Sequence, residues 1–487
     1  MRILPAAPMF RLGKKTSLHA PVRTGWVALG LTLTVAAPAD DRIDLPAAIQ
    51  TALLQNQWLQ QAGLNVESAA FGILQAEAGF DYHWRPDGNT FLSEDGDTLN
   101  VGMSVARKLT PGTEVLLRGS TTRFDPATAA ASHRTTLRLQ IAQPLFRRFG
   151  PLVHREPVLR ATRQEQTVRR QWEQQKADLV IDVVRVYEEV VRLDHQLKFD
   201  ERFYERVDRL YRLTLARERQ GRATRIDTLR VELQRGQALS RLENNRERRA
   251  ARILDLTDAM GASPEASFTL SPSPLVELDP AELDSARTIA FTHRLNIAQA
   301  EQDLGDATRT TKIARRGAWP ALRLVTGLER FGVEESFSGS AGLDETVWTI
   351  GLESDSAYVP RRSRAVLEQR VIDRESARRA LDLVYNAVAR EVDQRLLAYD
   401  RTHRELDISE HNLGLAGDRV HLAQRLFELG RSDSFSVTDA ENAFLAAQQQ
   451  LLVARVDASL AGYRVLHSLG TLIETPENLR PTGNGPP

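Results

Sequence analysis

The sequence predicts a mainly α-helical protein with a membrane β-barrel portion, built as two copies of one plan. Long stretches with a seven-residue apolar period, at residues 158–220 and 360–429, predict coiled-coil helices. Shorter stretches in which apolar and polar residues alternate predict strands of a barrel wall. Segments that match at a constant offset of 238 residues predict the internal repeat.

Composition excludes several classes of protein. The 487 residues carry 64 basic and 64 acidic side chains, whereas a duplex nucleic-acid binder normally has a basic excess. There is no cysteine, which excludes disulfide scaffolds, thiolate metal sites, cysteine nucleophiles and a lipoprotein anchor. Apolar residues make up 42% and the mean hydropathy is −0.35, so neither a disordered chain nor a polytopic helical membrane protein is expected.

The N-terminus has the three parts of a secretory signal peptide. Basic residues precede an apolar run from Trp26 to Val35, and the small residues Ala37 and Ala39 follow it. The run is too short to cross a bilayer as a helix, which needs about 20 residues. We expect residues 1–39 to be removed on export.

The first long helix is predicted over residues 158–220, which contain neither glycine nor proline. At ~1.5 Å per residue it would be roughly 95 Å long and would need a partner along its whole length. Its apolar residues step by four and three, which is the seam of a coiled coil. The seam residues are Leu179, Val183, Val186, Val190, Leu193 and Leu197.

The second long helix, residues 360–429, is followed by a shorter helix after Gly430. Both carry a seven-residue period, which favours a left-handed supercoil. The period of the long helix is marked by Tyr385, Val392, Tyr399, Leu406, Leu413, Val420 and Phe427. The shorter helix places Val437, Phe444, Leu451, Ala458 and Val465 at one heptad position and Ala440, Ala447, Ala454 and Ala461 at another.

The chain is predicted to consist of two repeats, residues 40–261 and 284–470. Each has a half-length helix, a β segment, a full-length helix, a turn and a second half-length helix. In the first repeat the half-length helices are expected at about 46–79 and 222–260. A proline-rich linker, residues 262–283, joins the repeats, and residues 471–487 form a C-terminal tail.

Alternating strands lie between the helices of each repeat. The first repeat is expected to have strands at Leu99–Leu109, Thr113–Phe124 and Thr135–Leu145, and the second repeat near Leu322–Leu328 and Trp348–Leu352. A soluble sheet packed on the helices is an alternative on pattern alone. If the strands face lipid, each copy supplies too few to close a barrel, so several protomers must share one.

In these features the sequence resembles the TolC-like outer-membrane efflux protein family. The specific marks are the segment 143–150 before the long helix and the turn-plus-helix segments 221–227 and 430–440. The resemblance implies a homotrimer whose helices form a periplasmic α-barrel and whose strands form one shared trimeric β-barrel in outer-membrane lipid. The hairpin Leu99–Phe124 exceeds the usual four strands per protomer.

The resemblance also implies a function and partners. The chain would be a passive channel of a tripartite efflux or type I secretion system, joined to a periplasmic adaptor (membrane fusion) protein and an inner-membrane pump of the RND or ABC type. We expect no enzymatic activity, cofactor, metal or nucleic-acid partner. The alternative is a non-channel periplasmic coiled-coil adaptor or scaffold, which would need no lipid-facing strands.

Candidate gate residues lie at the two helix–turn–helix tips. By the resemblance, Asp439 matches an acidic position near the periplasmic constriction, Asp227 is its counterpart, and Ser436 stands where the family often has Asp. Rings of carboxylates would bind cations and resist anions. The competing interpretation is that Thr224-x-x-Asp227 and Ser436-x-x-Asp439 are helix N-terminal capping patterns.

Further tip residues are expected to form contacts between subunits or with the adaptor. Exposed ion pairs are worth only about 0–1 kcal/mol each, so a latch made from them would open easily. A solvated charged turn is the alternative. The candidate latch residues are Arg222, Arg225, Arg431 and Asp433, and the candidate adaptor contacts are Gly221, Ala223, Thr224, Gly430 and Ser432.

Other chemistry-bearing patterns are absent or weak. His403, His411 and His421 do not share a helical face, so a metal site is not expected there. The arginines of 241–252 alternate with glutamates, which predicts a solvated helix face. No phosphate loop, dinucleotide fingerprint, serine nucleophile elbow or zinc-protease motif is present.

Overall fold

The computed structural model describes residues 42–221, 224–263, 268–279, 283–354, 359–429, 431 and 434–482. The expected signal peptide, residues 1–39, lies outside the described residues. The helices are α1 Leu45–Gln55, α2 Gln57–Glu77, α3 Pro151–His154, α4 Glu156–Arg219, α5 Arg225–Met260, α6 Ala286–His293, α7 Leu295–Gly317, α8 Phe337–Ser340, α9 Pro360–Glu428 and α10 Ser434–Leu469. The strands are β1 Arg42–Ile43, β2 Tyr82–Phe91, β3 Gly96–Lys108, β4 Glu114–Pro126, β5 Ser132–Pro144, β6 Thr269–Leu270, β7 Arg323–Glu334 and β8 Glu345–Glu353.

The chain divides into two compact units, and each repeat contributes to both. The first unit contains α1, α5, α6, α10 and the C-terminal parts of α4 and α9. The second contains most of α2, α7, the N-terminal parts of α4 and α9, and the large sheet. The same order of elements runs from 45 to 260 and again from 286 to 469.

The main core of the first unit forms where α1, α4, α5 and α10 meet. Tyr187 lies at its centre with no exposed surface, and its hydroxyl lies 2.9 Å from the Ile43 carbonyl and 2.7 Å from the Ser271 carbonyl. The Ser271 amide donates to the same hydroxyl. These contacts anchor the short parallel pair β1–β6, and burial raises the pKa of Tyr187 to about 12.

The coiled-coil seam of α4 is confirmed, although the buried face is wider than a seam. Val183, Val186, Val190 and Leu193 are buried, as are their neighbours on the adjoining face. Those neighbours are Val180, Val184, Tyr187 and Val191. Because α1, α5 and α10 all contribute to the same core, α4 buries more than one narrow stripe.

The small residues of α10 lie inside the first unit as the period predicts. Ala440, Ala454, Ala458, Ala461 and Val465 are buried. Ala454 and Ala458 pack with Leu406 of α9 in a separate cluster. Small side chains allow such close approach of helices, which is the reason for the alanine period.

Arginines of α5 contact α4, which corrects the prediction of a merely solvated face. Arg246 lies 3.1 Å from Glu201, and Arg252 lies 3.2 Å from Glu189. Arg249 forms a further ion pair with Asp194. These ion pairs hold α4 and α5 together along several helical turns.

The first half-length helix is broken, which the sequence analysis did not predict. Asn56 separates α1 from α2: its side-chain oxygen accepts from the Leu59 amide, and its side-chain amide donates to the Ala259 carbonyl. Arg294 separates α6 from α7 in the second repeat. The two breaks are 238 residues apart, so the predicted repeat offset holds even at an unpredicted feature.

The second unit is built on a six-stranded antiparallel sheet in the order β2-β3-β4-β5-β7-β8. Strands β3, β4, β5, β7 and β8 match the predicted β segments with longer bounds. Strand β2 was missed because Pro86, Asp87 and Gly88 interrupt the expected pattern. The first repeat therefore supplies four strands and the second supplies two.

Candidate functional site

One face of the large sheet is apolar on all six strands and exposed. Strand pairing places one side chain from each strand in a single row across this face. The row consists of Trp84, Val105, Leu117, Leu139, Leu328 and Trp348. Trp84 and Trp348, on the two edge strands, are 65% and 73% exposed, so the apolar face extends to both edges.

The opposite face of the sheet is polar and carries ion pairs between strands, both neighbouring strands and strands one apart. Arg118 contacts Asp87 at 2.5 Å, and Arg138 contacts Glu329 at 2.7 Å. Side-chain amides and hydroxyls add further hydrogen bonds between strands, as between Asn89 and Asn100. A sheet with one apolar and one charged face suits the boundary between hydrocarbon and water.

The first helical tip joins α4 to α5 in the first unit. Gly221 follows α4 with a φ of +67°, a left-handed conformation that favours glycine. Thr224 is the N-cap of α5, and its hydroxyl accepts from the Asp227 amide. The Asp227 carboxylate accepts in return from the Thr224 amide at 3.1 Å and the Thr224 hydroxyl at 2.6 Å. The predicted capping pattern is confirmed here.

These hydrogen bonds favour the charged form of the carboxylate. The Thr224 hydroxyl and amide therefore hold the pKa of Asp227 below its ordinary value. Arg230, one turn along α5, lies 3.8 Å from the same carboxylate. Asp227 is thus a fixed negative charge at the positive end of α5.

A second contact spans the same tip. Arg225, a candidate latch residue, lies 3.8 Å from Glu218 on α4 of the same chain. Glu218 is half-buried, and its Oε2 makes no hydrogen bond with any residue that the structure describes. The ion pair therefore ties together the two helices that flank the turn.

The second tip, between α9 and α10, has a different construction. Helix α10 already begins at Ser434, so Ser436 lies inside the helix rather than at its cap. Asp439 forms an ion pair with Arg419 of α9. The capping interpretation of Ser436-x-x-Asp439 is therefore wrong, because Asp439 bridges two helices instead.

The remaining tip candidates are only partly described. Arg431 is exposed, and its backbone amide donates to the Leu426 carbonyl at the end of α9. Five candidates lie outside the described residues: Arg222, Ala223, Gly430, Ser432 and Asp433.

Sequence reasoning missed Arg419 and Glu218, the partners of two candidate residues. Arg419 lies 20 residues before Asp439 on a different helix, so no local spacing pairs them. Glu218 stands four residues before the candidate Arg222, and only the fold of the turn brings it to Arg225. Only the alignment of the two helices across each predicted turn could have indicated these ion pairs.

Among the residues that the structure describes, no group of three His, Cys, Asp or Glu side chains is placed to hold a metal ion. None of the described helices is long and apolar enough to cross a membrane.

A family model matches part of the chain. The model described as outer membrane efflux protein matches residues 288–471, from within α6 to just past the end of α10. This part of the chain is therefore similar to outer membrane efflux proteins. No curated protein matches this chain.

Solved structures share the fold of this chain. The outer-membrane channel OprN has a TM-score of 0.67 at 16% identity, with 88% of this chain and 89% of that chain covered. VceC from Vibrio cholerae has a TM-score of 0.66 at 16% identity, with 88% and 96% covered. CmeC from Campylobacter jejuni has a TM-score of 0.67 at 12% identity, with 88% and 86% covered.

These solved structures confirm the predicted TolC-like fold class, helical with a strand portion.

Proposed function

We propose that this protein is a trimeric outer-membrane channel of a tripartite efflux or type I secretion system. It is a passive conduit from the periplasm to the exterior, and its partners supply the energy. The observation that carries the proposal is the large sheet, which exposes an apolar face on every strand and opposes it with a charged face. Such a face is stable in lipid and costly in water.

The need for several copies follows from the edges of the sheet. Strands β2 and β8 each have one neighbour within the chain. Their outer amides and carbonyls would be unsatisfied in hydrocarbon, where each such group costs several kcal/mol. Pairing with further copies of the chain removes both edges, and the family resemblance favours three copies.

The partners of the trimer are a periplasmic adaptor protein and an inner-membrane pump of the RND or ABC type. The adaptor contacts are assigned to Gly221, Ala223, Thr224, Gly430 and Ser432 at the helical tips. Two short turns on otherwise regular helices offer distinct surfaces to a partner. The exposed charges beside them suit a contact that forms and dissociates.

The same tips form the gate of the proposed channel. Asp227 and Asp439, with Ser436, contribute the polar constriction, and the latch residues are Arg222, Arg225, Arg431 and Asp433. The Arg419–Asp439 ion pair supports a closed tip because it joins α9 to α10. Both side chains are more than half exposed, so this contact is weak enough to open.

Membrane fractionation followed by electrophoresis of unheated and heated samples tests the proposal. We expect the protein in the outer-membrane fraction, migrating as a trimer unheated and as a monomer after heating. Recovery as a monomer in the soluble periplasm would contradict the channel and favour an adaptor or scaffold. The mass of the unheated species distinguishes a trimer from other closed assemblies.

A further inference from the structure

We propose that all six strands of each copy form the barrel wall, so that β2 of one copy pairs with β8 of the next. This inference rests on the proposed trimeric channel and goes beyond it. It replaces the four strands per protomer expected from the resemblance with six. A trimer would then enclose one barrel of eighteen strands.

Strand direction supports this closure. Each neighbouring pair in the order β2-β3-β4-β5-β7-β8 is antiparallel. An even number of alternating strands leaves β2 and β8 running in opposite directions. A second copy therefore continues the antiparallel pattern without interruption. If β2 alone were left out, β3 and β8 would meet in parallel.

The hairpin β2–β3 is paired to the rest of the sheet without interruption. Strands β3 and β4 pair over thirteen consecutive positions, from Gly96 opposite Pro126 to Lys108 opposite Glu114. Strands β5 and β7, which join the two repeats, pair over twelve. The hairpin β2–β3 is thus attached as completely as the strands that the resemblance already assigns to the wall.

The apolar face also continues through the added hairpin. Val101 and Met103 on β3 are 59% and 50% exposed, on the same face as Leu117 and Leu139 of the next two strands. On the polar face, Asp87 of β2 reaches across β3 to Arg118 of β4. A hairpin lying outside the wall in water would leave this apolar face exposed to water, which is unfavourable.

The consequence is a wider conduit through the outer membrane. The diameter of a barrel grows roughly linearly with strand number, so six strands per copy give a barrel about 1.5-fold wider than four. Barrels of roughly 16–18 strands enclose a water-filled channel rather than a core packed with side chains. The polar face, with its arginine–carboxylate pairs, would line that channel.

Disulfide scanning tests the closure in a chain that has no cysteine of its own. Ile350→Cys on β8 is combined in turn with a cysteine at Tyr82, Trp84, Pro86, Gly88 or Thr90 on β2, all on the same face. In a single copy, β2 and β8 are five strand spacings apart, roughly 24 Å, well beyond the ~7 Å limit between Cα atoms for a disulfide. Any disulfide must therefore join different copies.

The matched controls combine Ile350→Cys with Val115→Cys, Leu117→Cys or Gly119→Cys on β4. We expect oxidation in outer membranes to give covalent dimers and trimers with at least one β2 position and none with β4. Crosslinks from β4 with none from β2 would overturn the proposal, because four strands per copy then form the wall. An unheated trimer without any β2 crosslink also overturns it and leaves the trimer intact. A monomer in the unheated gel contradicts the trimeric channel itself.

Discussion

Asp227 and Asp439 occupy corresponding places in the two tips but make different contacts. Asp227 is held by the Thr224 cap at the start of its own helix. Asp439 reaches Arg419 on the preceding helix. The first aspartate therefore stabilises a helix end, while the second joins two helices. Only the second contact must break when α9 and α10 separate.

This difference predicts which residue controls leakage. Arg419→Ala or Asp439→Ala removes the tie between α9 and α10, so we expect a several-fold rise in basal conductance in planar bilayers. Arg404→Ala is the matched control, because Arg404 pairs with Asp400 on its own exposed helix face. Asp227→Ala removes one charge of the proposed constriction but no tie between two helices, so it should weaken the start of α5 and raise conductance less than Arg419→Ala or Asp439→Ala.

Equal conductance of Arg419→Ala, Asp439→Ala and the unaltered channel would count against a gate at the second tip. A rise with Asp227→Ala alone would instead assign the gate to the first tip.

The cap of α5 predicts a local and pH-dependent stability. Loss of a threonine cap costs about 1 kcal/mol, so Thr224→Ala should speed hydrogen exchange at the first amides of α5 about fivefold. Because the folded pKa of Asp227 is lowered, its contribution is present above the ordinary aspartate pKa, about 3.9. It is lost as the pH falls through the lower folded value.

Protection factors from hydrogen exchange, which are corrected for the intrinsic effect of pH on amide exchange, check this behaviour at pH 7 and below 4. In Asp227→Asn the change of protection with pH should disappear from these amides. A pH response that persists in that variant would assign the titration to another group.

At the scale of whole elements, a glycine packs against each break in the half-length helices. A Cβ on Gly261 would lie 2.5 Å from the Gln55 carbonyl oxygen, and one on Gly470 would lie 3.1 Å from the His293 carbonyl oxygen. Both glycines have positive φ, so each position requires glycine for conformation and for space. The C-terminal end of α5 therefore packs against the break between α1 and α2, and the end of α10 packs against the break between α6 and α7. We call each of these contacts a joint.

Gly261→Ala should therefore be far more harmful than Gly221→Ala. The two glycines have nearly equal φ, +68° and +67°, but Gly221 has open space around its missing side chain. Both variants bear the left-handed penalty of roughly 1–2 kcal/mol, and only Gly261→Ala adds a backbone clash. Thermal unfolding of the purified channel measures the difference, and equal losses would show that the joint is not tightly packed.

The lipid-facing assignment of β3 gives a second prediction for an element. Val101→Lys places a charge on the apolar face and should cost about 2–4 kcal/mol near the bilayer midplane. Asn100→Lys, on the polar face one residue away, is the matched control. Amounts of heat-modifiable trimer in outer membranes report the effect. Similar amounts for both variants would contradict a lipid-facing surface.

Periodic elements could be predicted from the sequence, whereas contacts between distant residues could not. The long helices follow from the seven-residue period, and β3 and β5 follow from strict alternation. Strand β2 escaped because Pro86 and Gly88 are rare inside strands, and they are tolerated here at a sheet edge. The break at Asn56 depends on the Ala259 carbonyl, 203 residues away.

The candidate site shows the same division. The Thr224–Asp227 cap lies within four residues and was visible as a pattern. The Arg419–Asp439 pair depends on how two helices align across a turn, so the second tip was wrongly assigned the same cap. Equivalence between repeats predicted the long helices but not the contacts of their side chains.

For the whole molecule, the exposed apolar face and the two open edges lead to one requirement. In the proposed channel, lipid covers the face and other copies of the chain cover the edges, since neither is satisfied among the described residues of a single copy. The absence of net charge and the balanced ion pairs on the polar face fit a conduit that does not select strongly for one sign of charge along the barrel.

Site-directed spin labelling along β3 tests the lipid-facing surface most directly. Single cysteines at successive positions from Leu99 to Val105 are labelled in protein reconstituted into lipid vesicles, and collision rates with oxygen and with a water-soluble nickel chelate are measured. We expect oxygen contact to peak at Leu99, Val101, Met103 and Val105, and nickel contact at the positions between them. High nickel contact at every position, without a two-residue period in oxygen contact, would contradict the membrane channel.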